Sequence, residues 1–425
     1  MLTVMRGSWP LFLGLLLLMI GNGLQGTLLG LRGALEGFSA TTMSYVMAAY
    51  FLGFLLGSRV APDLIRRVGH VRVFAALASL ISAAFILYAA VPHPISWALM
   101  RLVVGLCFSG VYVVSESWLN ATTTKSTRGQ ALSVYVIVQM IGIITAQGLL
   151  NVADPGGYEL FVIMSVLVSI SFAPILLAAT PAPYFDTTKP MSLRELFRAS
   201  PLGMVGIFLL GGVFSAMFGM APVYATEVSL TAAQTSIFVA VIYLGGMVLQ
   251  YPIGWVSDRV DRRMLILGTT GLGTILIVGS LPFLSNFILL CCAGFVVGGV
   301  ANPLYSLLIA YTNDFLEYED MAAASGGLIF ANGLGAILGP IVIGWLMGAY
   351  GPWTFFLFIA VLFALIAVYA VYRMTQRAAP SVDDTYAYTT VLPQASPVAV
   401  ELAQEVAIEM AQEDEEDRQD DAAPA

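Results

Sequence analysis

Arg101 and Glu116 lie in one long apolar run of the 425-residue chain, each carrying charge where a hydrocarbon setting costs about 2.5–3.5 kcal/mol unless a wet cavity or a partner receives it. The chemistry open to such groups is charge arrangement for the guanidinium and proton carriage for the carboxyl. Gly105, Phe108, Tyr112 and Ser115 follow Arg101 at helical spacing, so a semi-polar stripe joins it to the Glu116 level. Asn22, Gln25 and Arg32 share another helical face with Glu36 just beyond, and Arg32 with Glu36 suits an ion pair outside the membrane. Other chemistries lack residues. The two histidines, His70 and His93, build neither a metal centre nor a buried triad, and Cys107, Cys291 and Cys292 stand inside apolar runs as packing residues. No GxxxxGK[ST] phosphate loop occurs, so ATP is not an evident energy source. The chain therefore reads as a non-enzyme with no cofactor and no metal.

The elements that must hold these residues are membrane helices. Composition is 59% hydrophobic and 10% charged, far from the ~25% charge of soluble domains. Twelve runs have the ~20 apolar residues that a ~30 Å hydrocarbon core demands, and backbone groups in lipid make them helices. They fall at about 9–30, 41–61, 71–91, 95–117, 129–150, 158–179, 202–223, 235–256, 263–283, 286–310, 322–346 and 353–373. With the N-terminus inside, sixteen of the eighteen basic residues fall on the cytoplasmic side, Arg32 and Arg101 excepted, so both termini are expected there.

A shift of 192 or 193 residues lays the second half on the first: Gly105 meets Gly298, Tyr112 meets Tyr305, Asn120 meets Asn313 and Gly142 meets Gly335. The expected organisation is a six-helix bundle over 1–179, a cytoplasmic linker over 180–201, a second bundle over 202–377 and a tail over 378–425. The tail holds twelve of the 26 acidic residues and one basic residue, which leaves the body at net +3, so the overall −8 says nothing about nucleic acid. Past Arg377 the chain turns to Pro, Ala, Asp and Glu and closes with seven acids in nine residues, Glu413 to Asp421, so the whole tail over 378–425 is expected to be disordered and cytoplasmic. A helix near Val398–Met410 is the alternative there, because Leu402, Val406 and Met410 share a face.

Three motifs carry a resemblance. Between the eighth and ninth runs stands Gly254-Trp255-Val256-Ser257-Asp258-Arg259-Val260-Asp261-Arg262-Arg263, which resembles the GxxxDRxGRR loop of the major facilitator superfamily, with Asp261 in place of the second Gly. The loop between the second and third runs matches in part: Arg67 and Gly69 align, Pro62 replaces the opening Gly, Arg66 replaces the acid, and Asp63 stands three residues before it. Arg101-Leu102-Val103-Val104-Gly105 is similar to the RxxxG core of that family's fourth span. Glu116-Ser117-Trp118-Leu119-Asn120 with Arg128-Gly129 resembles a signature of a poorly characterised bacterial branch, which brings no known substrate. Gly335 to Pro340 resembles an antiporter motif of span five but stands in span eleven, where close packing and a kink are the expected roles.

The resemblance implies an all-α integral membrane fold of twelve transmembrane helices in two pseudo-symmetric six-helix bundles, lodged in a bacterial inner membrane. It further implies a secondary transporter that moves a small solute by alternating access, coupled to protons through Arg101 with Glu116 as second candidate, with export as the direction. Since spans one, four, seven and ten of such proteins line the cavity, Asn22, Gln25, Tyr112, Asn302 and Tyr305 become substrate-binding candidates. The cytoplasmic gate is expected from Asp63, Arg67, Gly69, Gly254, Asp258, Arg259, Arg262 and Arg263. The alternative is a membrane sensor or assembly protein that keeps the fold and signals through its acidic tail. Partners are then a small-molecule solute, the lipid bilayer and protons, without nucleic acid or ATP.

Overall fold

Helices account for most of the described residues, and several begin where the sequence supplies a cap. In this computed structural model residues 2–177, 191–377 and 385–422 are described, by backbone alone at 2–7, 125–126, 318–319 and 411–422. Among the described residues twelve helices are long and apolar enough to cross a membrane. The first half has α1 (Ser8–Leu35), α2 (Ala40–Val68), α3 (His70–Ala90), α4 (Pro94–Thr122), α5 (Thr127–Leu149) and α6 (Glu159–Leu176). The second has α7 (Pro201–Glu227), α8 (Ala232–Ser257), α9 (Arg262–Phe283), α10 (Phe287–Asn313), α11 (Asp320–Tyr350) and α12 (Thr354–Met374). Ser39 caps α2 through Thr42 N–H, Thr231 and Gln234 form a capping box on α8, and Asn286 caps α10.

The duplication in the sequence is a duplication of packing. Gly53 on α2 lets the Leu102 backbone of α4 approach, as Gly245 on α8 admits the Phe295 backbone of α10. From the other side Gly105 sits on the Tyr50 carbonyl and Gly298 on the Ile242 carbonyl. Gly142 packs α5 on α1 at Leu16 and Met19, and Gly335 packs α11 on α7 at Phe208 and Gly211. Small residues at these crossings let backbones touch where lipid offers no hydrophobic drive. Within each half the tightest neighbours are these same pairs, and the halves meet where α2 lies on α11 and α5 on α8.

Call the end that carries Arg66, Arg128, Arg262 and Arg373 the basic end. At the opposite, far end the halves touch directly: Thr41 Oγ1 donates to the Gly344 carbonyl at 3.2 Å, and Asn151 Nδ2 to Ser236 Oγ at 3.1 Å. A methyl group on Gly30 would strike Pro222, so α1 and α7 also close tightly there. At the basic end the halves are held apart by the C-terminal segment, which ends in helix α13 (Pro397–Ala422) packed on α4, α5 and α11.

That placement corrects the expectation of a solvated, disordered tail for residues 385–410. Val391, Leu392, Ala395, Val400, Leu402 and Ala403 are buried, which only a hollow supplied by the rest of the chain could arrange. Leu402 and Val406 face inward as their spacing implies, and Met410 is exposed. Residues 180–190 of the expected linker and 378–384 of the tail lie outside the described residues, as do the side chains of Glu413 to Asp421. The described part of the linker is a short helix, Leu193–Ala199, closed by the Ser192–Glu195 capping box.

Candidate functional site

Between the halves, near mid-depth, a hollow is lined by Asn22, Tyr50, Arg101, Phe218, Tyr243 and Gln394. A second hollow shares Tyr50, Phe51, Phe218 and Gln394 and extends to Asn332 and Gly333. Their water-accessible space is about 40 Å3 and 30 Å3, enough for a few waters at about 10–15 Å3 each and too little for a solute. The C-terminal segment fills the remainder, with Pro393 and Gln394 at its tip.

Arg101 is 3% exposed and has no carboxylate in ion-pair range among the described residues. Its guanidinium lies 4.7 Å from the Tyr50 ring centroid and donates from Nη2 to Met47 Sδ at 3.1 Å, while Nε has no partner. A cation held by a π-face and a sulfur is under-solvated, which is the state in which a ligand or a proton-bearing group has most to gain by approaching. Gln25 Nε2 donates to the Tyr88 hydroxyl at 3.1 Å, and Trp97 Nε1 to the Tyr88 carbonyl at 3.0 Å, so α1, α3 and α4 are tied beside Arg101. Asn22 faces the hydroxyls of Tyr50 and Tyr112.

Of the substrate-binding candidates, only Asn22 lines the hollow with Arg101. Gln25 is buried with an unpartnered Oε1. Tyr112, fully buried, donates to Met19 Sδ at 3.3 Å and tilts on Phe54. Asn302 bonds its own helix at the Gly298 carbonyl, 3.3 Å, and leaves Oδ1 unpartnered. Tyr305 stands edge-on to Phe214 with its hydroxyl unpartnered. Two features escaped the sequence reading. The middle of α7 is a π-helical turn, Ala216–Met220, ahead of Pro222, which has no N–H to give the Phe218 carbonyl, and that carbonyl lies against Gly26. Phe218 in turn stacks between Phe214 and Tyr243 in the wall of the hollow. Pro222 was the legible signal.

Glu116 lies deeper toward the basic end. Its Oε1 accepts from Tyr135 at 2.7 Å and its Oε2 accepts the Ser396 N–H at 3.0 Å, so the carboxylate is spent on the C-terminal segment. Arg101 and Glu116 are about 22 Å apart along α4 at 1.5 Å per residue, so the structure does not bring the two together.

The gate candidates divide. In the first-half loop Asp63 pairs with Arg66, both exposed, and Arg67 is exposed on the surface. Gly69 turns the chain between α2 and α3 at φ +87°, a conformation that favours glycine. In the second-half loop Arg262 is 3% exposed and pairs with Asp314, with the Tyr386 carbonyl as a further acceptor. Asp258 accepts the Tyr388 N–H at 2.7 Å, and a Cβ on Gly254 would stand 2.7 Å from the Tyr388 ring. Arg259 folds over Trp255 at 4.1 Å. Arg263 pairs with Asp261 at 2.8 Å and donates to the Arg377 carbonyl at 2.7 Å. Asp261, which replaces the motif glycine, caps α9 through Arg263 N–H. Burial pushes the Asp314 carboxyl up to about 6 against the pull of Arg262, and raises Asp258 as well. Arg32 pairs with Glu36 at 2.6 Å and also donates to the Gly157 carbonyl, securing α1 to the turn before α6.

The family model described as Major Facilitator Superfamily matches residues 11–231 and 224–387. An uncharacterized MFS-type transporter YcaD of Escherichia fergusonii is 27% identical over 350 residues, covering 82% of this chain and 90% of that protein. Its counterpart in Escherichia coli O45:K1 is 28% identical over 367 residues, 85% of this chain and 94% of that one. Among solved structures the nucleoside transporter NupG superposes with a TM-score of 0.69 at 17% identity over 87% of this chain and 99% of that one. Its D323A mutant gives 0.72 at 16% identity over 86% and 99%.

Proposed function

The chain belongs to the Major Facilitator Superfamily and is a membrane transporter, and from that premise we propose that it is a proton-coupled secondary transporter working by alternating access around the Arg101 hollow. The observation that carries the reading is the buried, carboxylate-free guanidinium of Arg101 between two halves that are sealed at the far end. A mid-depth site closed on one side is what a rocking pair of bundles needs. Asn22, Gln25, Tyr112, Asn302 and Tyr305 supply neutral donors and acceptors to the solute, so a neutral or amphiphilic molecule suits the site better than a strongly charged one. Glu116 is the second proton-handling group. Asp258, Arg262 and Arg263, with Gly254 and Arg259, form the gate of the second half, and Asp63, Arg67 and Gly69 its weaker first-half counterpart.

The basic end faces the cytoplasm of a bacterial inner membrane, because short basic loops stay inside. Export is the direction we propose. A cavity of about 390 Å3 opens sideways between α5 and α8 past Ile137, Met247, Tyr251 and Trp255, all exposed on the lipid-facing surface, and would admit an amphiphile from the bilayer. The second reading, a sensor that signals through its tail, is favoured by the deep seating of residues 385–410.

The test begins with thermal stabilisation of the purified protein by a library of neutral and amphiphilic solutes, nucleosides included, since a ligand of the folded state raises the melting point. Solute that stabilises is then followed in proteoliposomes under a pH gradient. Arg101→Ala should abolish gradient-driven flux while the protein stays monodisperse. Unchanged gradient-driven flux in that variant rejects the role of Arg101, and a folded protein that binds solute without moving it favours the sensor.

A further inference from the structure

We infer that residues 385–410 are an autoinhibitory plug: they occupy the basic-end half of the transport cavity and must withdraw before the two halves can close there.

The plug is bonded to both halves at once. On the second half, Val391 N–H donates to Ser306 Oγ at 3.0 Å and Ser306 Oγ returns a bond to the Val391 carbonyl at 3.1 Å. Asn332 Nδ2 donates to the Pro393 carbonyl at 3.3 Å, and Gln404 Nε2 donates to Asn313 Oδ1 at 2.9 Å. On the first half, Ser396 N–H donates to Glu116, and Arg128 pairs with Glu405 at 2.7 Å and Glu409 at 2.9 Å. Tyr388 is wedged under Gly254 and receives a bond from Gln250 Nε2 at 2.8 Å.

Alternating access requires α4 and α5 to swing against α10 and α11 at the basic end. With the segment seated, its buried side chains stand in the path of that movement, and Gln394 takes up the space beside Arg101 that a solute would use. The far end is already shut, so the docked state is open on neither side. The family-model match ends at residue 387, so the plug from Tyr388 onward lies beyond it.

The test uses the full chain with its three cysteines replaced by alanine and Ser306→Cys as reporter, labelled by a water-soluble maleimide. Ending the chain after Asp384 should speed labelling by about tenfold or more, the ratio set by how seldom the docked segment opens. Arg128→Glu in the full chain should also speed it, through repulsion of Glu405 and Glu409, and adding Glu405→Arg with Glu409→Arg should slow it again. Equal labelling of intact, shortened and Arg128→Glu chains overturns the plug. Should the shortened chain fail to elute as a single species, the charge-swap series decides alone. The shortened chain should further carry several-fold faster flux of any solute that the intact chain moves, and equal or slower flux overturns the inhibitory role. Labelling involves no solute, so a plug that opens without flux in either chain counts against transport and leaves the plug standing.

Discussion

The two loops that descend from one repeated motif have diverged in opposite directions. In the loop over 62–72 Asp63, Arg66 and Arg67 are exposed, Asp63 and Arg66 pair with each other, His70 is buried against Ser117, and Gly69 turns the backbone corner. The loop over 254–263 buries Gly254, Ser257, Arg262 and Arg263, and every charged residue in it has a partner: Arg262 with Asp314, Asp258 with Tyr388, Arg263 with Asp261 and Arg259 with Trp255. The difference follows the C-terminal segment, which lies against the second loop through Tyr386 and Tyr388. Symmetry of the bundles thus coexists with asymmetry of the gate, and the loop that touches the C-terminal segment keeps the motif.

The largest contrast should come from the arginines. Arg262→Ala strands Asp314 in a dry setting and should cost about 3–5 kcal/mol of unfolding free energy, whereas Arg67→Ala, fully at the surface, should stay within about 0.5 kcal/mol. Denaturant unfolding in detergent reads both, and equal losses would erase the distinction between the loops. A smaller effect is pH-dependent. Because burial raises Asp314 to about 6, the folded chain holds that proton more tightly than the unfolded chain does. Its contribution is therefore complete below the ordinary aspartate range near 3.8 and fades as pH rises through about 6. Asp314→Asn should flatten the stability slope across that window, and an unaltered slope would mean that another group sets it. The smallest effect is expected from Asp63→Ala, about 0–1 kcal/mol for an exposed pair, and a larger loss would show that the first loop is engaged after all.

Local periodicity made most of the architecture legible. Apolar run length found every span, although the second helix runs on to Val68, past the expected end at 61, and the 192–193 shift found glycines that do the same work in each half, as Gly105 and Gly298 do. Arg101 was legible because a lone charge in lipid is costly, and Arg32 with Glu36 because their spacing closes an i, i+4 pair. The seating of the C-terminal segment was not, although its helix was. Its acid-rich composition argues for solvent, and the apolar Val391, Leu392, Val400 and Leu402 acquire a core only inside a hollow built by helices hundreds of residues earlier. The same holds for Glu116, whose partner Ser396 is 280 residues away. Asp261 looked like a defect in the motif, yet α9 needs a cap where the loop does not need a left-handed residue.

The claim on which the account stands is that the two ends open in alternation. Spin-label distances across the far end, between labels at Gly37 and Ser229, and across the basic end, between labels at Arg66 and Arg259, test it in the chain ended after Asp384. Conditions that lengthen one distance should shorten the other, whether the shift is driven by pH or by a stabilising solute. Both distances lengthening together, or neither responding, would contradict it.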